Sequence, residues 1–113
     1  MILKILEREA WQSACRDGHY YGSPDDVRDG FIHFSAPHQV VATAAKYFKG
    51  KRDLVIVAFD EAALGDALKW EPSRGGDLFP HLYAPLPTAR ALWERPLPLA
   101  DDGMPVVPGD VLK

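Results

Sequence analysis

Six consecutive positions, Leu54-Val55-Ile56-Val57-Ala58-Phe59, carry no polar side chain. A strand that is apolar on both faces has to be covered on both, so this run predicts the central strand of a sheet with packing on each side. It is the longest apolar run in the chain and falls far short of the ~20 residues that span a bilayer as a helix. No membrane-spanning helix is expected. A length of 113 residues with 47% in the hydrophobic set suits one domain over residues 1–113 and leaves no room for two. The opening Met1-Ile2-Leu3-Lys4-Ile5-Leu6-Glu7 has no basic leader, long apolar stretch or small-residue cleavage site. Cys15 is the one cysteine, so no internal disulfide forms, and the chain is expected in the cytoplasm.

Around that strand the chain reads as an alternation of short segments. Residues 2–6 form a strand, with Lys4 as its one charged interruption. A helix over 9–17 follows, its apolar stripe Ala10, Trp11, Ala14 and Cys15 and its left-handed cap Gly18. Ser23-Pro24-Asp25-Asp26 reads as an N-cap, a first-turn proline and acidic residues, so a short helical turn starts there and closes at Asp29-Gly30. Phe31-Ile32-His33-Phe34 is a strand whose period of two puts Phe31, His33 and Ser35 on one side and Ile32 and Phe34 on the other.

The firmest helix runs from about 36 to 48, capped by Ser35, with Val40, Val41, Ala44, Tyr47 and Phe48 as its stripe. Asp60 ends the apolar strand and caps a single turn through Ala63. Leu68-Lys69-Trp70-Glu71 alternates like a half-exposed strand and stops at the loop Pro72-Ser73-Arg74-Gly75-Gly76. Residues 82–84 and 91–95 make further short strands, and 97–113 an extended C-terminal tail. Five to six short strands with two main helices give an α+β domain with a mixed or antiparallel sheet.

Composition narrows the function. Thirteen Lys and Arg against 16 Asp and Glu leave a net charge of -3 with no basic stripe, which speaks against a general nucleic-acid surface. There is no phosphate-binding loop with a lysine, no GxGxxG, no HExxH, no CxxC and no GxSxG. Four histidines remain: His19, His33, His38 and His81. His33, His38 and His81 with Glu71 or Asp77 make a zinc or iron site if they converge, the basis of a metal-dependent hydrolase. Otherwise His33 is a partly buried histidine bonded to a neighbouring loop. Cys15 reads as core filler.

The segment 70–83 gathers more chemistry. Glu71, Arg74 and His81 sit with aromatics around a glycine-containing loop, a pattern suited to a polar-aromatic ligand cleft. Arg74 fits a phosphate or carboxylate bidentately, or else pairs with Glu71 on the surface. Tyr20 and Tyr21 add rings for stacking on a flat ligand or over the sheet edge. Eight of the 10 prolines fall from Pro72 onward, where they hold an irregular, ligand-facing chain at reduced entropic cost.

Asp29-Gly30-Phe31-Ile32-His33-Phe34-Ser35 followed by Gln39, then Leu68-Lys69-Trp70-Glu71-Pro72 with Phe79-Pro80-His81-Leu82-Tyr83, looks like the uncharacterised bacterial domain-of-unknown-function family numbered 952. The resemblance runs from the opening strand to about Pro96. In strand-helix order that family is similar to the ADP-ribosyltransferase-like group, whose members bind NAD in a cleft between two small sheets. This likeness implies Glu71 and His33 as catalytic residues, with Glu71 on a ribose hydroxyl. It implies Ser35 on the ribose or amide, Arg74 on the pyrophosphate, and His81, Tyr20 and Tyr21 as further ligand contacts. No permanently bound cofactor or metal is implied; NAD enters as substrate. Lys4 stands where a first-strand histidine is usual in that group. The departure favours the alternative, a non-catalytic module that senses a small anionic molecule on the same fold.

Overall fold

The computed structural model describes residues 1–112. Its elements in chain order are β1 (Ile2–Glu7), α1 (Arg8–Asp17), β2 (His19–Tyr20), α2 (Pro24–Asp29), β3 (Ile32–His33), α3 (Pro37–Tyr47), β4 (Leu54–Phe59), β5 (Leu68–Pro72), β6 (Leu78–Leu82), β7 (Leu86–Pro87) and β8 (Ala91–Leu97). The architecture is α+β, and every strand pairing is antiparallel. Three small sheets form, with orders β1-β4-β8, β2-β7 and β3-β6-β5. Among the described residues eight strands replace the five to six expected, because β2 and β7 are two residues long and too short to leave a periodic signal, while β3 falls inside the strand expected over 31–34.

The apolar run is β4, buried at every position and flanked by β1 and β8. Alternate residues feed two cores. Val55, Val57 and Phe59 join Ile2 and Leu6 beneath Trp11 of α1, together with Ile32 and Phe34. Leu54, Ile56 and Ala58 join Leu3 and Ile5 beneath Val40 and Ala44 of α3. One helix thus covers each face, as a doubly apolar strand demands. None of the helices among the described residues is long and apolar enough to cross a membrane.

The first and third sheets meet at a seam. Leu3 and Ser35 exchange both backbone hydrogen bonds, at 2.8 and 2.9 Å, and the Phe34 amide donates to the Pro80 carbonyl at 3.0 Å. Residues 32–35 therefore lie between β1 and β6. The N–H and C=O of one strand residue point the same way, so the missing donor of Pro80 faces the place where β3 has just ended. That is how a proline is accommodated in the middle strand of its sheet.

Several local expectations change. Ser35 is a strand-pairing residue and not the cap of α3. The N-cap is Ala36, whose own amide donates to the Gln39 side chain at 2.9 Å. The stripe of α3 is narrower than its apolar residues imply, since Gln39, Val40 and Ala44 are buried while Val41 and Tyr47 are half exposed. Likewise α1 buries Trp11 and Ala14 and leaves Cys15 exposed, so Cys15 fills no core. The strand expected over 82–84 is β6, four residues earlier. After β8 the chain folds back through a bridge between Leu99 and Pro105 and a 3-10 turn at Gly109–Leu112, and Val111 enters the second core. Arg95 pairs with Asp110 along this segment.

Candidate functional site

Asp26 organises one side of the seam. Ser23 caps α2 by accepting the Asp26 amide at 3.2 Å, and the Asp26 carboxylate takes the Ser23 amide in return at 2.9 Å. This reciprocal box leaves the carboxylate 2% exposed and turned inward, where Lys4 Nζ approaches its two oxygens at 2.9 and 3.2 Å. His33 adds its amide at 3.1 Å and its Nδ1 at 2.6 Å. Space is tight enough that a Cβ on Gly22, whose φ is +113°, would stand 2.8 Å from the Asp26 Cβ.

Burial pushes the Asp26 carboxyl up, but the hydrogen bond from His33, the Lys4 charge and the Ser23 amide outweigh it and hold the group well below the usual carboxylate range. Burial pulls the Lys4 ammonium down, and Asp26 pulls it back. The outer nitrogen of His33 meets Asp29 at 3.0 Å, and Asp29 is tied to Arg28. His33 is thus bonded on both ring nitrogens to α2, the structural role set beside the catalytic one in the sequence.

β6 supplies the opposite side. His81 pairs across the sheet with His33, and its ring lies 5.5 Å from the His33 ring, nearly edge-on. Glu71 reaches His81 diagonally from β5 and accepts from Nδ1 at 2.9 Å. Tyr83 donates its hydroxyl to the same Glu71 oxygen at 2.6 Å. That bond first, and His81 second, hold Glu71 below its ordinary pKa, while the same bond raises the Tyr83 phenol. Phe31 stacks on His81 at 4.0 Å.

Arg74 closes the far end from the 3-10 turn after β5. It does not pair with Glu71. Its guanidinium lies 5.0 Å from the Phe79 ring and 5.8 Å from the Tyr47 ring, and one nitrogen contacts Thr43 Oγ1 at 3.4 Å. Ser35 donates to that same hydroxyl at 3.1 Å. Among the described residues no carboxylate pairs with Arg74.

These groups enclose a cavity of about 260 Å³ along the seam, walled by Lys4, His33, Ser35, Thr43, Arg74 and His81 among others. Of the residues singled out in the sequence, His33, Ser35, Arg74 and His81 therefore share one cavity. Glu71 stands behind His81 and is not part of the wall. Tyr20 is buried in the first core, 6.0 Å from the Lys4 ammonium. Tyr21 is exposed and lies on a separate shallow depression with Phe31 and Tyr83. His19 and His38 are exposed. Among the described residues no three His, Cys, Asp or Glu side chains are grouped to hold a metal ion.

Lys4, Asp26 and Thr43 were missed as site residues. Lys4 carried the clearest signal, because a lone charge inside a buried strand requires a partner.

Comparison with known proteins places this geometry in a family. The family model described as Protein of unknown function (DUF952) matches residues 5–94. No curated protein matches the chain. The crystal structure of protein CC0527 from Caulobacter crescentus is similar, with 49% identity, a TM-score of 0.94, and coverage of 98% of this chain and 96% of that one. A double mutant of the same Caulobacter crescentus protein matches at 48% identity, TM-score 0.93 and the same coverage. Its solution NMR structure matches at 49% identity and TM-score 0.83, covering 92% and 90%. By its sequence over residues 5–94 the chain belongs to the DUF952 family of proteins of unknown function.

Proposed function

We propose that the seam cavity binds a small anionic molecule through Arg74. One observation carries this reading: the other lysine and arginine of the wall are paired, Lys4 with Asp26 and Arg28 with Asp25 and Asp29, while no carboxylate among the described residues meets Arg74. Its planar fork is held between two aromatic rings and beside a hydroxyl, preorganised for a phosphate or carboxylate. The volume of about 260 Å³ is just below the range of ligand sites, which run from roughly 300 to 1,000 Å³. A compact anion fits it; only part of a dinucleotide would.

The test is a thermal-shift and calorimetric panel of inorganic phosphate, propyl phosphate, propionate, ADP-ribose and NAD. A binder at 100 times its Kd stabilises by about 2.7 kcal/mol. Arg74→Gln removes charge-assisted hydrogen bonds of about 1.5–3 kcal/mol, so affinity falls about tenfold or more while the ligand-free unfolding midpoint changes little. No stabilisation by any of the five sinks the reading.

A second reading is transfer chemistry on NAD, in which Glu71, kept ionised by Tyr83 and His81 behind the cavity wall, acts on the ligand through His81. A fixed carboxylate stabilises the cationic transition state that forms as nicotinamide leaves NAD. The anion at Arg74 would then be a pyrophosphate of NAD or of an ADP-ribose-containing ligand, with His33 and Ser35 at the ribose. Nicotinamide release added to the same panel separates the two. Transfer requires release that Glu71→Gln abolishes, whereas binding alone leaves NAD intact.

A further inference from the structure

His81 carries a polar atom that has no partner among the described residues. Its side chain is 4% exposed, its Nδ1 is bonded to Glu71, and its Nε2 is closed to solvent with nothing to bond. An ionised carboxylate only accepts, so Nδ1 carries the proton of the neutral ring and Nε2 is left as a bare acceptor. Tyr83 donates to the same Glu71 oxygen, which keeps that carboxylate in its accepting form. Phe31, stacked at 4.0 Å with the rings 20° apart, fixes the plane of the imidazole.

Buried polar atoms are nearly always bonded, so each exception calls for its partner. Among the described residues the other such atom is Trp11 Nε1, which sits in the first core and away from the cavity. His81 instead helps to wall the cavity that also holds Arg74. We infer that His81 Nε2 accepts a hydrogen bond from the bound molecule, so that the ligand carries a hydroxyl or N–H donor beside its anionic group.

This rests on the anion-binding reading and adds the ligand class to it: a hydroxy acid or a phosphorylated polyol instead of a bare phosphate or carboxylate. Glu71 is then a positioning residue. It acts on the ligand through His81, by deciding which ring nitrogen is bare.

Two matched pairs of probes test the inference by calorimetry: glycerol 3-phosphate against propyl phosphate, and lactate against propionate. The hydroxylated member of at least one pair binds about tenfold more tightly, the ratio that one added hydrogen bond supplies. His81→Phe keeps a ring against Phe31 and abolishes that preference, read as the ratio of the two affinities within each pair. In Glu71→Ala the preference shrinks as well, and the nitrogen NMR spectrum shows the His81 proton moved from Nδ1 to Nε2. The loss of the preference carries the role, because a purely structural contact would leave the ratio within each pair unchanged.

Equal affinities within both pairs, with binding still dependent on Arg74, overturn the inference and leave the anion reading standing. So does a wild-type spectrum with Nε2 protonated. Failure of all four probes to bind, with ADP-ribose or NAD still stabilising the protein through Arg74, overturns the ligand class named here and leaves the anion reading standing; failure of these probes and of ADP-ribose and NAD overturns both.

Discussion

Asp26 shows how much one residue can organise when a helix start, a strand lysine and a histidine all turn toward it. The pair it makes with Lys4 is buried on both sides, at 8% and 2% exposure, so each charge depends on the other. Replacing one partner leaves the other unpaired at a cost of about 3–5 kcal/mol, whereas replacing both with groups of similar shape costs far less. Asp26→Asn is therefore expected to lower stability by that amount at pH 7, and Lys4→Met with Asp26→Asn to recover most of it.

The acid limb has a definite sign. The folded pKa of Asp26 lies below its unfolded value of about 3.9, so the folded state holds fewer protons between the two. The stability it contributes is complete above about pH 4–5 and is lost as pH falls through the folded value. Urea unfolding from pH 3 to 7 checks this: the slope of stability below pH 4 flattens in Asp26→Asn, and an unchanged slope rejects the assignment.

Among elements, α3 argues for long-range control of a local feature. Its start at Pro37 has no side-chain cap from the residue before it; Gln39 reaches back to the Ala36 amide with its oxygen and across to the Leu78 carbonyl with its nitrogen, at 2.9 and 2.7 Å. Helix and β6 are thereby held in one register by a buried amide. Gln39→Leu is close in size and leaves both backbone groups without a partner, a loss of about 1–3 kcal/mol for each. A denaturant midpoint that shifts with an unchanged m-value is the expected result, and a loss under about 0.5 kcal/mol would reject it.

The sequence made β4, α1 and α3 readable because each carries its own period, apolar throughout or striped. It misplaced the cap on Ser35, whose type suits a cap, because only the distant pairing with Leu3 reveals that Ser35 is a strand residue. β2 and β7 were hidden for the same reason: a two-residue strand is defined by its partner and not by its own pattern. The structure brings His33, Ser35, Arg74 and His81 to one cavity; Arg74 and His81 drew notice from the glycine-containing loop between them, whereas Ser35 read locally as a cap and was tied to a ligand only by the family likeness. Asp26 passed as an ordinary first-turn acid, since nothing local says that it faces inward.

At the scale of the whole molecule, the first and third sheets differ in how firmly they are held. β4 has a core on each face, while β5 is an edge strand exposed at Lys69, Trp70 and Pro72. The backbone pairing between Leu3 and Ser35 and the ion pair between Lys4 and Asp26 bind the sheets at the seam, and the cavity lies along it. Opening of β5 and β6 removes Arg74 and His81 from the cavity together. Loosening of β8, at the other edge of the first sheet, leaves the cavity intact. Native-state hydrogen exchange separates these motions, because a ligand raises the cost only of openings that destroy its site. The β4 amides should exchange by global unfolding alone, and those of β5 and β6 by a cheaper opening. An anion that binds at Arg74, at 100 times its Kd, raises protection in β5 and β6 by about 2.7 kcal/mol. Amides of β8 that exchange by local fraying stay unchanged. A rise of equal size in β8 would mean that the sheets open as one unit and that the seam is no boundary.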